Sequence, residues 1–223
     1  MPEGPPIKNM ADQLRTALTG QVITVVRSRY KKAREEDWPT ILVSRSIEGV
    51  RSHGKNLFIE LSGGYTIYSH MLMWGSWHIY EPGEEWRKAK KLARLVLETP
   101  QKVAVLFNAP LCEVIPPEQL AKHKTSALGP DPLGPDFDKT EVWRRMHLPE
   151  NCEKDLGELA LDQTVLTGIG NILKSEILFQ AGLHPLKLVS SLEEKEFEDF
   201  IRYSQILLQS SYEKGMRNSF IPG

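Results

Sequence analysis

The sequence predicts an α+β fold, in which a long N-terminal helix precedes an antiparallel β-sandwich and a helical domain follows. Three features favour this class. Apolar residues recur at helical spacing from Ile7 to Leu18. Short alternating apolar runs then extend from Val22 to Phe107, as in half-buried strands. Beyond about residue 140 the periodicity is helical again, so strands and helices are segregated along the chain.

The predicted N-terminal helix has signals at both ends. Pro5 and Pro6 suit a first helical turn, and Gly20 is a suitable C-terminal stop. We therefore expect an amphipathic helix directly behind a short tail. Its apolar face consists of Ile7, Met10, Ala11, Leu14, Ala17 and Leu18.

The strand region contains short apolar runs with turn residues between neighbours, such as Gly63-Gly64 and Thr99-Pro100-Gln101. This pattern predicts an antiparallel sandwich or barrel. The predicted strands are Val22–Tyr30, Ser46–Arg51, Leu57–Leu61, Tyr65–Met71, Trp77–Tyr80, Arg94–Glu98 and Val103–Phe107.

A change of composition marks the predicted domain boundary. The stretch Leu128–Asp138 carries three prolines and two glycines, which is typical of a linker. We predict a sandwich domain with the N-terminal helix over residues 1–127, a linker over 128–139 and a helical domain over 140–223.

Two helices of the second half are predicted from their capping residues. Thr140 is a suitable N-cap for a helix over Glu141–Met146. Ser191 and Glu194 match a capping box for a long helix that continues to about Tyr212.

Composition excludes several classes of protein. Acidic and basic residues nearly cancel, with a net charge of −1 over 223 residues, so bulk charge does not indicate a nucleic-acid binder. Cys112 and Cys152 are isolated, which fits neither a zinc module nor a disulfide scaffold. No apolar run approaches the length of a membrane span. We expect an intracellular monomer that contacts no membrane and uses no metal and no small-molecule cofactor.

The N-terminal string Pro2-Glu3-Gly4 contains a candidate nucleophile. A small second residue permits removal of Met1, which exposes the secondary amine of Pro2. An α-amino group has an unperturbed pKa of about 7.7 to 8.0, so part of it is neutral at physiological pH and can attack a sugar C1′. The resulting iminium favours elimination of the 3′ phosphate, and Glu3 is placed to transfer protons. The alternative is an ordinary proline-rich tail.

A lysine in a predicted turn is the second candidate. His53-Gly54-Lys55-Asn56 precedes a strand that starts near Leu57, so we expect Lys55 at the end of the sheet. There it can hold a phosphate or donate a proton. The alternative is a solvated lysine beside a turn glycine.

The segment Leu161–Pro185 contains a glycine turn before a helix. Gly168 and Gly170 allow a tight turn, and we expect a helix from about Asn171 whose free N–H groups point outward. Such an N-terminus binds phosphate, and the Asn171 side chain adds a donor. The alternative is a plain turn between packed helices. The residues expected to pack inside are Ile172, Ile177 and Leu178.

These strings occur together, and in the same order, in one known family. The strings are Pro2–Pro5, Gly54-Lys55, Gly168–Asn171 and Glu176–Leu178. With them the chain resembles the formamidopyrimidine-DNA glycosylase and endonuclease VIII family, from Pro2 to about Tyr212. The resemblance is closer to the endonuclease VIII branch, which prefers oxidised pyrimidines.

The resemblance implies a function and a role for each motif. It implies a bifunctional DNA glycosylase and AP lyase of base excision repair, whose helix-two-turn-helix motif binds damaged DNA. In this family pattern Pro2 is the Schiff-base nucleophile, Glu3 the proton donor in base release and Lys55 the proton donor in the lyase step. Gly170 and Asn171 contact the DNA backbone.

The resemblance also implies a loop that contacts DNA. Family members fill the gap left by an everted nucleotide from this loop, which offsets part of the cost of unstacking. The loop corresponds here to Leu72, Met73 and Trp74, with Met73 as the expected wedge. The alternative is that Met73 and Trp74, like Met71 and Trp77, belong to the sandwich core.

The chain departs from the family pattern at its C-terminal end. Family chains usually continue into a zinc finger or a zincless equivalent, whereas this sequence has no cysteine after Cys152 and ends at Gly223. We therefore expect no zinc finger of that kind and weaker DNA binding, and δ-elimination stays unassigned.

Two basic clusters could contact phosphate or form solvated faces. The first cluster is Arg27, Arg29, Lys31, Lys32 and Arg34, and the second is Arg87, Lys88, Lys90, Lys91 and Arg94. Two rival functions stay open beside the enzyme. One is a non-enzymatic binder of damaged or abasic DNA, and the other is a structural module that binds RNA or protein.

Overall fold

The predicted N-terminal helix is present in the structure, a computed structural model that describes residues 2–217 and the side chains of residues 2–215. Helix α1 covers Gly4–Leu18 and has Pro5 and Pro6 in its first turn. Four residues of its apolar face are buried, namely Ile7, Ala11, Leu14 and Leu18. Gly20 has a φ of 83°, a left-handed conformation that glycine adopts without strain, and the helix ends just before it.

Two four-stranded antiparallel sheets confirm the predicted β-sandwich. The strands are β1 (Val25–Ser28), β2 (Ile47–His53), β3 (Asn56–Leu61), β4 (Thr66–His70), β5 (Ser76–Tyr80), β6 (Ala93–Glu98), β7 (Val103–Phe107) and β8 (Leu111–Ile115). The strand orders are β1-β6-β7-β5 and β2-β3-β4-β8. Central residues such as Ile59, Leu97 and Leu106 are fully buried, so the apolar alternation stabilises this architecture.

Several short elements were not predicted. Strand β8 follows Pro110 and includes the charged Glu113, so it lacks a clear alternating pattern. It is a strand because it pairs with β4, with Ser69 opposite Cys112. Helices α2 (Lys31–Glu35) and α3 (Trp38–Leu42) are too short for periodicity to identify them.

The second half is helical, as predicted. Its helices are α4 (Pro117–Leu120), α5 (Lys139–Met146), α6 (Leu156–Leu159), α7 (Asn171–Ala181) and α8 (Glu194–Arg217). Val142, Ile177 and Phe200, from three of them, meet in one buried apolar cluster. Gly182, with a φ of 67°, ends α7.

Both predicted N-caps in this half are wrong. Helix α5 begins one residue before Thr140, because the Asp138 carboxylate accepts hydrogen bonds from the N–H groups of Thr140 and Glu141. Ser191 lies in a separate 3-10 turn, and the Glu193 N–H at the start of α8 donates to the Glu196 carboxylate. Several side chains with an oxygen acceptor lie near the start of each of these two helices. Local contacts decide which of them forms the cap.

The chain divides into two compact units by its internal contacts. The first contains residues 10–52 and 56–123. Among the described residues, the second contains Pro2–Asn9, His53–Lys55 and the residues from Lys124 onward. The start of α1 and the turn between β2 and β3 therefore belong with the helical half. No helix in the described part of the chain is long and apolar enough to span a membrane.

The N-cap of α5 gives a test of the fold. We expect Asp138→Ala to lower the free energy of unfolding by about 0.5–2 kcal/mol, because two helix N–H groups lose their acceptor. Thr140→Ala is the matched control, since its side chain is not the cap. Urea denaturation of both variants checks this expectation, and an equal loss in the two would contradict the assignment.

Candidate active site

The predicted site residues of three chain segments lie in one compact unit. Pro2, Glu3, Lys55, Gly170 and Asn171 all belong to the second unit. The segments are far apart in sequence, so the site depends on tertiary contacts between them. Leu72 and Met73 belong to the first unit.

The carboxylate of Glu3 binds the N-terminus of α7. The Ile172 N–H donates to Oε1 at 2.9 Å, and the Leu173 N–H donates to Oε2 at 3.2 Å. Glu3 is only 8 % exposed. These N–H groups belong to the first helical turn and have no acceptor within the helix, and the positive end of the helix dipole further stabilises a carboxylate.

This contact corrects two expectations about α7. The N–H groups of its first turn were expected to be free for a phosphate, but those of Ile172 and Leu173 bind Glu3. Ile172 was expected to pack inside, but its side chain is 62 % exposed, whereas Ile177 and Leu178 are buried as predicted. Asn171 is exposed at the helix start, where its amide can reach a ligand.

Gly170 leaves the space that the Glu3 carboxylate occupies. A Cβ atom at this position would lie 2.3 Å from Glu3 Oε1 and 2.6 Å from its Cδ. Any other residue would displace the carboxylate from the helix N-terminus. The glycine predicted as a turn residue therefore has a second role, which is steric.

A second glycine contact holds the backbone beside Pro2. The Gly4 N–H, at the start of α1, donates to the Gly168 carbonyl at 2.8 Å. A Cβ at Gly4 would lie 3.0 Å from Gly168 Cα. Gly168 has a φ of 89°, so it adopts a left-handed conformation and also permits this close approach.

The Lys55 turn is held by the segment that was predicted to be a linker. The Gly54 N–H donates to Asp131 Oδ2 at 2.8 Å, and His53 Nε2 lies 2.7 Å from the Gly129 carbonyl oxygen. Asp131 is buried and also accepts from the Leu133 N–H at 3.0 Å. Sequence reasoning missed Asp131, because its proline-rich surroundings indicated only a boundary.

Lys55 is a buried cation beside a carboxylate. It is 6 % exposed, so it is not the solvated lysine of the alternative interpretation. Burial lowers its pKa, because desolvation disfavours the charged form, and the charge of Glu3 acts in the opposite direction. Lys55 can therefore exchange a proton at a lower pH than an ordinary lysine.

Gln163 shapes the glycine turn and was also missed. Its Nε2 donates to the carbonyls of Leu161 at 2.8 Å and Ile169 at 3.1 Å, while its Oε1 accepts from the Gly168 N–H at 3.1 Å. One amide thus connects both ends of the turn. Only a side chain with donors and an acceptor can do this.

The loop between β4 and β5 presents apolar side chains to solvent. Met73 is 58 % exposed and Trp74 is 76 % exposed, whereas Met71 and Trp77 are buried. Leu72 has a φ of 47°, which is rare for a leucine, and its N–H donates to His70 Nδ1 at 3.1 Å. The core interpretation is therefore wrong for Met73 and Trp74.

Metal-ligand side chains do not cluster in the part of the chain that the structure describes. It contains no group of three or more His, Cys, Asp or Glu residues arranged to hold a metal ion.

Comparisons with protein families match both halves of the chain. The formamidopyrimidine-DNA glycosylase N-terminal domain matches residues 1–110. The formamidopyrimidine-DNA glycosylase H2TH domain matches residues 128–220. Endonuclease 8 of Escherichia coli O17:K52:H18 is 35 % identical over 184 residues, which are 82 % of this chain and 69 % of that protein. Endonuclease 8 of Shigella flexneri serotype 5b has the same identity and coverage.

Solved structures share the fold at lower identity. The complex between the Lactococcus lactis Fpg and an abasic site containing DNA has a TM-score of 0.81 and 22 % identity, covering 96 % of this chain and 79 % of that chain. The complex of wild-type Lactococcus lactis Fpg (MutM) with N7-Benzyl-Fapy-dG containing DNA has a TM-score of 0.82 and 23 % identity. It covers 100 % of this chain and 82 % of that chain.

The contact between Glu3 and α7 can be tested by hydrogen exchange. In Glu3→Ala we expect the Ile172 and Leu173 amides to exchange about tenfold faster or more, since each loses a charge-assisted hydrogen bond. The Lys174 amide, which donates to the Gly170 carbonyl at 2.9 Å, is the internal control and should keep its protection. Unchanged exchange at Ile172 and Leu173 would disprove the contact.

Proposed function

Because this chain belongs to the formamidopyrimidine-DNA glycosylase family and is a DNA-repair glycosylase, we propose that it excises oxidised bases through a Schiff base on Pro2. The observation that carries the proposal is the binding of Glu3 to the N-terminus of α7. This contact fixes the residue next to Pro2 in the unit that contains Lys55 and the helix-two-turn-helix motif.

The first step is attack by the Pro2 nitrogen after removal of Met1, which lies outside the described residues. The secondary amine forms a bond to C1′ of the damaged nucleotide and gives its proton to the Glu3 carboxylate. The glycosidic bond breaks with its electron pair on the departing base, which takes a proton from water. Glu3 donates a proton to the ring oxygen as the sugar opens. The nitrogen is then a positively charged iminium.

The second step is β-elimination from this iminium. The Glu3 carboxylate takes a proton from C2′, which sends electrons toward the iminium, and the bond between C3′ and the 3′ phosphate oxygen breaks with its electron pair on the phosphate. Lys55 is the proton donor of this lyase step. The Lys55 ammonium group is buried beside Glu3. Desolvation makes its proton easier to lose, which suits transfer to the anion that develops in this step.

The proposed DNA contacts come from the start of α7 and from the loop between β4 and β5. Gly170 and Asn171 bind a backbone phosphate at the start of α7, where Asn171 is exposed. Leu72 and Met73 fill the space of the everted nucleotide, and the exposure of Met73 supports such a contact. The similarity to Endonuclease 8 favours oxidised pyrimidines as substrates.

Borohydride trapping tests the nucleophile. Reduction of the iminium joins protein and DNA permanently, so the protein that begins at Pro2 should form an adduct with abasic DNA. Retention of Met1 converts the nitrogen into an amide, and we expect the adduct to fall by about two orders of magnitude. Pro2→Gly should also change the yield sharply. Mass spectrometry confirms the N-terminus of each form.

The outcomes separate the rival functions. Equal adduct yields in all three forms would mean that a lysine is the nucleophile. Binding of abasic DNA without any adduct would favour a non-enzymatic binder. Tight RNA binding without preference for an abasic duplex would favour the structural module. A panel of single-lesion duplexes, with damaged pyrimidines and purines in one sequence context, tests the substrate class.

The role of Lys55 predicts a pH dependence. A lysine whose pKa is lowered by burial loses its proton at a lower pH than an ordinary lysine. The rate of β-elimination should therefore decline with rising pH already below the pKa of an ordinary lysine. In Lys55→Arg the arginine keeps its proton throughout this pH range. The decline of the β-elimination rate should therefore move to higher pH in this variant. Single-turnover nicking of a preformed abasic site, measured across pH, checks this. An unmoved decline would exclude Lys55 as the donor.

A further inference from the structure

A polar cluster outside the proposed active site lies on β5, an edge strand of its sheet. Ser76 and His78 are two residues apart and therefore share one face of the strand. Ser76 Oγ lies 3.0 Å from His78 Nε2, and Lys88 Nζ donates to Ser76 Oγ at 2.8 Å. We call Ser76, His78 and Lys88 the β5 cluster.

The segment that carries Lys88 is anchored on the same strand. Trp86 packs against the buried Tyr80 and Phe107. The Arg87 N–H donates to the Tyr80 hydroxyl at 3.2 Å. Lys88 Nζ lies 5.8 Å from the centroid of the Phe107 ring. The ammonium group is thus held in place before any ligand arrives.

The β5 cluster has positive charge without a carboxylate partner. Within the described residues, the side chains of Lys88 and Arg87 form no ion pair, and both charges act on His78. Burial and these two charges lower the pKa of His78. The imidazole ring also contacts the Tyr80 hydroxyl and the Phe107 ring. In the first basic cluster, by contrast, glutamates pair with Arg27, Lys31 and Lys32.

We propose that the β5 cluster is a binding site for a backbone phosphate of the DNA. The inference rests on the proposed function and adds a contact to it. Strand β5 begins directly after the loop of Leu72 and Met73, so a phosphate beside the nucleotide that the loop contacts can reach the cluster. Lys88 has further N–H donors, and Ser76 adds a hydroxyl to the same anion.

The salt dependence of DNA binding tests this site. Each phosphate contact contributes about 0.9 to the slope of log K against log salt concentration. We expect Lys88→Met to reduce this slope by about 0.9 and to weaken binding roughly fivefold near physiological salt. Lys88→Arg should restore the slope. Lys91→Met is the matched control, since it removes an exposed charge from the same segment without touching the cluster.

A methylphosphonate scan identifies the DNA group. Neutral methylphosphonates replace single phosphates around an abasic site, and one position should weaken wild-type binding while leaving Lys88→Met unaffected. Absence of any coupled position, or an equal loss of slope in Lys91→Met, would overturn the proposal. If inorganic phosphate shifts the His78 ring signals in NMR spectra but no position is coupled, the site binds small anions and the DNA assignment is wrong.

This test is independent of the nucleophile. At saturating protein, Lys88→Met should still give the trapped adduct with abasic DNA, because the cluster takes no part in the chemistry. Loss of the adduct in the wild type would instead contradict the proposed function. Urea denaturation of Lys88→Met excludes a purely structural effect, which would change stability without changing the salt slope.

Discussion

The contact on which the site depends is the pairing of one carboxylate with the first turn of one helix. Helix N-termini carry unpaired N–H groups and attract anions, and here Glu3 supplies the anion from the start of the chain. The contact fixes the N-terminal residues, which would otherwise be a mobile tail. Gly170 and Gly168 lack side chains where the tail approaches, so the glycines of the turn serve this contact directly.

The burial of Lys55 depends on the same carboxylate. Lys55 is buried beside an acidic side chain that is itself held by two N–H groups. An unpaired buried cation would be costly, and a nearby carboxylate reduces that cost. Asp131 acts on the backbone of the same turn through the Gly54 N–H. Two carboxylates thus have separate tasks, since Asp131 orients the turn and Glu3 offsets the charge of Lys55.

Local signals in the sequence predicted most elements and the identity of the candidate residues. Alternation identified seven of the eight strands, and the glycines marked the turns at Lys55 and before Asn171. Contacts between distant residues could not be predicted. Glu3 and Ile172 are 169 positions apart, and nothing local indicates their pairing. Strand β8 likewise depends on its partner, and the choice of Asp138 over Thr140 depends on side-chain geometry.

The glycine contact between residues 4 and 168 has a consequence for the order in which the molecule matures. During synthesis, Glu3 and Gly4 are made well before the Gly168 carbonyl and the Ile172 N–H group that hold them. Until those groups have been made, Glu3 and Gly4 lack the partners that fix the backbone beside Pro2. The chemistry proposed for Pro2 therefore depends on folding of the helical half with residues 2–9.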